Sequence, residues 1–230
     1  MMRGKFITFE GGDGVGKSTQ INRLAKRLSA AGVSFSLTRE PGGTPFAESL
    51  RAFILDPALP PHAAMAEALL FAAARHDHVE NLITPALGEG RWVLSDRFAD
   101  STRAYQGAAG GLALDTLKRI EGLSHPGLAP DLTIILDLDP ALATMRRTQR
   151  ANATGGGDGG KTGDGAMALP AADRFETRGV DFQIRLRNAF RDIAAAEPQR
   201  CRLIDAGAPA VVVEAAIWQV VTERLSPERA

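Results

Sequence analysis

Two spacings of apolar residues alternate along this chain. Short apolar runs at 5–9 (Lys-Phe-Ile-Thr-Phe), at 91–95 around Trp-Val-Leu, and at 131–138 (Asp-Leu-Thr-Ile-Ile-Leu-Asp-Leu) predict buried strands. The stretch 33–38 alternates and predicts a partly buried strand, and 202–205 a last one. Between them the apolar period is helical: from Lys17 on, Ile21, Leu24, Ala25 and Leu28 recur on one face, and Ala31-Gly32 stops that helix. Further helices are expected over 46–55, from 62 to about 84 with a stop near Pro85, over 112–123, from Pro140 onward, up to about 197, and over 210–225. Prolines and glycines at 39–45 and 56–61 break the pattern. Strands that alternate with helices predict an α/β fold, a five-stranded parallel sheet with helices on both faces. The segment from Ala153 to Gly165 is low in complexity and rich in glycine, and no element is expected there. No self-sufficient core flanks it on each side, so it reads as an internal loop of a single domain over 1–230.

One turn in this pattern carries chemistry. Residues 9–20 read Phe-Glu-Gly-Gly-Asp-Gly-Val-Gly-Lys-Ser-Thr-Gln. Gly11, Gly16, Lys17 and Ser18 fit G-x-x-x-x-G-K-[ST], with Gly12, Asp13, Gly14 and Val15 between and Thr19 following. Glycines let successive backbone N–H groups turn toward phosphate oxygens, Lys17 reaches the β and γ phosphates, and the Ser18 hydroxyl suits Mg²⁺. The positive end of the following helix points at the same anion. The competing reading is a flexible glycine turn that happens to precede Lys-Ser. Strand, glycine-rich turn and helix in the required order favour a P-loop.

Other candidates sit at predicted strand ends, where open parallel sheets bind ligands. Arg39 opens the turn after the second strand and is either a phosphate contact or a surface charge. Asp96, at the end of the 91–95 strand, suits Mg²⁺ or its water, or a helix N-cap. Phe71 and Arg75 lie four apart on one helix face; in isolation they read as core and solvated charge.

Composition narrows the classes. The chain has 230 residues, 44% hydrophobic and 23% charged, which suits a globular domain with a sizeable core. Lys plus Arg and Asp plus Glu are 27 each, so no global basic field points to nucleic acid. Cys201 is alone, which rules out an intrachain disulfide and suits a reducing compartment. A small apolar role in a strand is its simplest use. No apolar run is long enough for a membrane span. A P-loop this near the N-terminus argues against a cleaved signal peptide. His62, His76, His78 and His125 lack a zinc-binding pattern.

A P-loop serves phosphotransferases and nucleotide switches. A GTPase switch needs a guanine-reading Asn-Lys-x-Asp, and the chain has none. A kinase for a small acceptor needs a second anion site facing the P-loop and a closing lid. Arg39, Arg75 and Arg97 are candidates for the first, and the arginines around 151–172 for the second.

The P-loop set, then Thr-Arg-Glu-Pro-Gly-Gly-Thr at 38–44, Asp96-Arg97, and Ser-Thr-x-Ala-Tyr-Gln-Gly at 101–107 together resemble the bacterial thymidylate kinases, over nearly the whole chain. The resemblance implies a P-loop NTPase fold with a mobile lid at about 146–176. It implies transfer from ATP to dTMP with Mg²⁺, in dTTP biosynthesis, by a cytoplasmic homodimer without nucleic-acid or membrane partners. Carried over residue by residue, Lys17, Ser18 and Thr19 match the ATP phosphate and Mg²⁺ positions. Asp13 matches the carboxylate that meets the dTMP sugar hydroxyl. Arg39 and Arg97 match the arginines of the acceptor phosphate. Phe71 matches the aromatic stacked on thymine, and Arg75 the arginine on its exocyclic oxygen. Ser101, Tyr105 and Gln106 match the wall around base and sugar. Asp96 matches the acid near Mg²⁺, and Arg150 the lid arginine. One branch of the family has a catalytic arginine inside the P-loop; here that position is Gly14, so the charge is expected from the lid. The glycine-rich insertion between Arg150 and Asp173 lets Arg146, Arg147 or Arg174 share that role.

Overall fold

The computed structural model describes residues 3–153 and 179–227. The glycine-rich stretch, Asp173 and Arg174 lie outside the described residues, as do the side chains of residues 150–153, Arg150 among them.

Strand β1 (Phe6–Glu10) leads through the glycine turn into α1 (Lys17–Ala30). Then follow β2 (Phe35–Arg39), α2 (Pro45–Leu55) and α3 (Ala64–His78). A π-helical turn, Val79–Ile83, joins α3 to α4 (Thr84–Gly88). After β3 (Trp92–Asp96) come α5 (Ala99–Thr102), a second π-helical segment (Arg103–Ala108) and α6 (Leu114–Ser124). The chain ends with β4 (Leu132–Asp137), α7 (Pro140–Ala153), α8 (Val180–Ala196), β5 (Cys201–Asp205) and α9 (Ala210–Leu225).

Among the described residues the strands form one five-stranded parallel sheet, ordered β2-β3-β1-β4-β5. Parallel neighbours need crossover connections, which the helices supply. Side chains alternate across the sheet with period two. Ile7, Phe9, Leu94, Ile134 and Leu136 pack on one face against Ile21, Leu24 and Leu28 of α1 and Val213, Ile217 and Val221 of α9. On the other face Phe6 and Val93 meet Val79, Ile83, Leu87 and Phe98, and Ile135 meets Leu186 and Phe190 of α8. Each fully buried Leu, Ile or Phe contributes about 1.5–3 kcal/mol, so both layers are firmly seated. β1 has β3 on one side and β4 on the other, so the crossovers diverge at its carboxyl end, where such sheets bind ligands.

Two expectations change. The helix from 62 does not stop at Pro85, because the chain stays helical through Gly88. The widened π turn resets the hydrogen bonding so that Pro85 falls in the first turn of α4, where its missing N–H costs nothing. The segment after Phe98, given no element from sequence, is helical to Ala108. It is too short to show a clear helical period, and it ends in glycines.

Candidate active site

The site is assembled from strand ends. Asp96 lies beside Phe9 in one ladder and beside Arg39 in the next, so β1, β2 and β3 deliver the P-loop, Asp96 and Arg39 to one edge. Gly16, with φ of +103°, is the N-cap of α1, and no side chain takes up the N–H groups of the first turn. Those donors face the P-loop concavity. Lys17 is buried, and its Nζ donates to the carbonyl oxygens of Gly11 and Gly12 at 3.2 and 2.9 Å. Burial, then the Arg97 charge, hold its pKa below the ordinary value, against the pull of Asp96, Asp13 and Glu10. Thr19 is exposed on the outer side of the same turn.

Ser18 Oγ donates to Asp96 Oδ2 at 3.1 Å, while Asp96 Oδ1 is buried with no hydrogen-bond partner. The N-cap alternative for Asp96 is set aside: α5 begins at Ala99 with Phe98 as its N-cap and no side-chain cap. A carboxylate oxygen buried without a donor, next to a hydroxyl, is the donor set a hard divalent cation takes. No group of three or more His, Cys, Asp or Glu suited to a metal exists among the described residues.

Arg97 is the hub. Its backbone is left-handed, with φ of +73°, uncommon for a residue with a Cβ. Its N–H donates to Phe9 O at 2.9 Å and its own carbonyl accepts from Ser95 Oγ at 2.8 Å, which hold that conformation. The guanidinium donates from Nη1 to Gly11 O and Ser101 Oγ at 3.1 and 3.0 Å. From Nη2 it donates to Asp13 Oδ1 and Tyr105 Oη at 2.5 and 2.9 Å, and Tyr105 in turn donates to Asp13 Oδ2 at 3.0 Å. Burial pushes the Asp13 pKa up, but the charges of Arg97 and Lys17 and the Tyr105 hydrogen bond outweigh it and hold the carboxyl below its ordinary range. Burial likewise opposes the Arg97 charge, and Tyr105, Asp13, Asp96 and Glu10 outweigh it. Asp13, Arg97, Ser101 and Tyr105 therefore meet in one cluster on the P-loop.

Phe71 and Arg75 do share one face of α3. Phe71 is half-buried against the α8 cluster, and Arg75 is buried rather than solvated. Arg75 donates from Nε to Glu40 Oε2 at 2.7 Å and from Nη2 to Thr102 Oγ1 at 3.1 Å. Gln106 is buried and donates to Glu67 Oε2 on α3 at 3.1 Å. Arg39 stands apart from the cluster: its Nη2 pairs with both oxygens of Glu48 on α2 at 3.1 Å, and its Nε is buried without a partner.

α7 closes the far side of the P-loop. Gly14 has φ of +82°, and a Cβ there would lie 2.7 Å from both Ala143 O and Arg147 Cγ. Arg147 also lines a small open cleft of about 30 Å³ with Gly11, Asp13, Asp137 and Arg187. Arg146 turns the other way and donates to Ala206 O at 2.8 Å, after β5.

Three residues escaped the sequence reading. Glu10 is fully buried and accepts from Phe98 N at 2.8 Å and Ser101 Oγ at 2.6 Å. Burial and the neighbouring Asp100 push its pKa up to about 8. Glu40 and His78 lie buried behind Arg75. An acid closing an otherwise apolar strand was the signal for Glu10, and two basic residues three apart on one helix face the signal for Arg75 and His78.

Residues 9–217 match the family model described as thymidylate kinase. The chain belongs to the thymidylate kinase family. It is 51% identical over 223 residues to a thymidylate kinase of Bradyrhizobium sp., covering 97% of this chain and 92% of that relative. A thymidylate kinase of Rhodopseudomonas palustris is 49% identical over 231 residues, covering 100% of this chain and 94% of the relative. The crystal structure of a thymidylate kinase from Ehrlichia chaffeensis superposes with a TM-score of 0.71 at 32% identity, covering 95% of this chain and 99% of that one. The sheet of this thymidylate kinase family member is thus that of the P-loop NTPase fold, as its motifs implied. No helix among its described residues is long and apolar enough to cross a membrane.

Proposed function

We propose that this enzyme transfers the terminal phosphoryl group of ATP to dTMP, giving ADP and dTDP for dTTP biosynthesis, with Mg²⁺ as cofactor. The observation that carries the reading is Arg97, a cation bonded to the P-loop carbonyl of Gly11 and to Asp13. A cation beside the P-loop supports a second phosphate site facing the one that the P-loop would hold.

The acceptor is a phosphate oxygen, already anionic near neutral pH, so no strong base is required. Catalysis is alignment of two phosphates and neutralisation of crowded charge. Lys17 exchanges the carbonyls of Gly11 and Gly12 for phosphate oxygens. Residues 11–16 and the α1 N-terminus supply backbone N–H donors to the ATP phosphates. Arg97 and Arg39 bind the acceptor phosphate, and the buried, unpartnered Nε of Arg39 supports its part. Asp13, kept ionised, accepts from the sugar hydroxyl. Phe71 stacks on thymine, Arg75 donates to its exocyclic oxygen, and Ser101, Tyr105 and Gln106 wall the base and sugar. Ser18 and Asp96 would hold Mg²⁺, to which the unpartnered Asp96 Oδ1 is suited; the ion supplies further neutralisation of phosphate charge when bound. The lid, with Arg150 and its neighbours, excludes water from the transfer.

We further infer a cytoplasmic homodimer. Phe46 and Phe53 on α2, and Met65 and Leu69 on α3, are large apolar side chains left exposed on adjacent helices, which supports self-association there. Analytical ultracentrifugation tests it, and a monomer at micromolar concentration would refute it. The function is tested by a coupled ADP-release assay with ATP and a panel of nucleoside monophosphates. Stimulation by dTMP well above dCMP, AMP and GMP is expected. Equal turnover of dCMP and dTMP would overturn the acceptor, and turnover indifferent to every monophosphate would overturn the kinase.

A further inference from the structure

Behind Arg75 lies a buried polar system that the transfer itself does not use. Glu40, from the turn after β2, is 5% exposed; Arg75 is 2% and His78 0% exposed. Glu40 Oε2 accepts from Arg75 Nε at 2.7 Å, and Oε1 pairs with His78 Nδ1 at 3.1 Å. His78 Nε2 meets Thr38 Oγ1 at 2.6 Å. If Nδ1 carries the proton toward Glu40, Nε2 accepts from the Thr38 hydroxyl, so one neutral tautomer satisfies both bonds. Arg75 Nη2 donates to Thr102 Oγ1 at 3.1 Å, and the guanidinium carbon lies 5.2 Å from the centre of the Phe98 ring.

These contacts fix the guanidinium in three ways. Nε is held by Glu40, Nη2 by Thr102, and the ring of Phe98 lies against the guanidinium. Glu40 also cancels the charge of Arg75. A neutral pyrimidine base needs a directed donor from this arginine rather than a net field, and a buried guanidinium without its carboxylate would be a site for any anion. The backbone is built around the system: a Cβ on Gly43 would lie 2.5 Å from both His78 Nε2 and Thr38 Oγ1.

We propose that Glu40, braced by His78, is a positioning residue that sets the base selectivity of the site by holding Arg75 in one orientation. This rests on the reading of Arg75 as the group that addresses the base. Glu40 touches no reacting atom; it acts through Arg75.

The test compares kcat/KM for dTMP and dCMP in the full-length enzyme and in Arg75→Ala, Glu40→Gln, Glu40→Asp and His78→Gln variants. In Glu40→Gln the negative charge opposite Arg75 is lost even where His78 switches tautomer to accept from the new amide, so the ratio of dTMP to dCMP should fall about tenfold or more, the scale of one charge-assisted hydrogen bond. The loss should come from a higher KM for dTMP, with KM for ATP unchanged. Glu40→Asp keeps the charge, retracts it by one methylene and should fall part of the way. His78→Gln leaves Glu40 present but unbraced and should shift the ratio in the same direction, so the proposal stays testable if Glu40→Gln does not fold. Arg75→Ala separates the two levels. If it keeps the wild-type ratio, the base-reading role of Arg75 is wrong. If it loses the ratio while the Glu40 and His78 variants keep it, the positioning role is wrong and the reading of Arg75 stands. Equal losses on both monophosphates would make Glu40 a structural tie only, and would also overturn the proposal.

Discussion

Gly14 and Arg147 touch: a Cβ built on Gly14 would lie 2.7 Å from Arg147 Cγ, and as close to the backbone oxygen of Ala143. The P-loop therefore has no room for a side chain at this position, because α7 fills the space. With φ of +82°, any residue other than glycine also costs about 1–2 kcal/mol of backbone strain. Gly14→Ala should lose at least that much in urea unfolding. Gly14→Arg should fail to raise kcat, because its guanidinium cannot enter without displacing α7. A stable Gly14→Arg enzyme with raised kcat would contradict this packing.

The same contact sets a cation of α7 beside the P-loop. Arg147 borders the P-loop, and Arg150 lies three residues further along α7. An arginine used mainly in the transition state changes kcat more than KM. Arginine fingers are worth about 10³–10⁵ in rate, and the proposed sharing among neighbouring arginines lowers the loss expected from any one of them. Arg147→Ala and Arg150→Ala should each lower kcat toward the smaller end of that range, with little change in KM for dTMP. Single-turnover kinetics check this. Wild-type rates in both variants would move the role to Arg174.

Asp96 Oδ1 is a buried acceptor without a donor, and Asp96→Asn would put an amide in that environment. The fold should tolerate it, since Ser18 still has an oxygen to donate to. Cation affinity should not survive, because the carboxylate charge is gone. The Mg²⁺ concentration for half-maximal activity should rise at least tenfold while the melting temperature holds within a few degrees. An unchanged Mg²⁺ titration would remove Asp96 from the metal role.

Much of this was legible along the chain because the deciding interactions are local. The P-loop is a contiguous stretch between a strand and a helix, and the first three strands each end at a motif residue, so the sheet edge that gathers Lys17, Arg39, Asp96 and Arg97 follows from the order of elements. What stayed hidden depends on partners far apart. Arg75 reads as a solvated charge until Glu40, 35 positions away, is seen beneath it. Glu10 reads as a strand-end acid until Phe98 and Ser101 are seen to bind it across 88 and 91 positions. The helical segment 99–108 was missed because Tyr105 and Gln106 are held by tertiary contacts to Asp13 and Glu67, not by helical periodicity.

Tyr105 bridges the two charges of the central pair, accepting from Arg97 and donating to Asp13. Tyr105→Phe removes both bonds yet keeps the ring against Phe182 and Phe190. Asp13 and Arg97 keep each other, so the fold should stand, but both are less constrained. KM for dTMP should rise about three- to tenfold, the scale of about 1 kcal/mol in a hydrogen bond, with kcat changed less. A fall in kcat at constant KM would mean that Tyr105 acts on the transition state instead.

Glu10 and His125 pull stability in opposite directions as pH changes. Burial and Asp100 push Glu10 up to about 8 from an ordinary 4.5, while burial and Arg75 push His125 down to about 4 from 6.5. Between pH 4.5 and 8 the folded protein holds a proton on Glu10 that the unfolded chain has lost, so that contribution falls as pH rises and is gone above 8. Between pH 4 and 6.5 the unfolded chain holds a proton on His125 that the folded protein lacks, so that contribution rises with pH and is complete above 6.5. The carboxyls held low, Asp13, Glu40, Glu48, Asp137, Glu197 and Glu214, lose their contribution only on acidification below the ordinary carboxylate range. The two slopes therefore oppose each other from 4.5 to 6.5, and Glu10 acts without His125 from 6.5 to 8. Unfolding free energy from urea titrations should be nearly level across the lower window, then fall by about 1–2 kcal/mol across the upper one, at about 1.4 kcal/mol per pH unit for one proton. Glu10→Gln should invert the profile, rising through the lower window and level in the upper. A variant that still loses stability between pH 6.5 and 8 would assign that slope to another group.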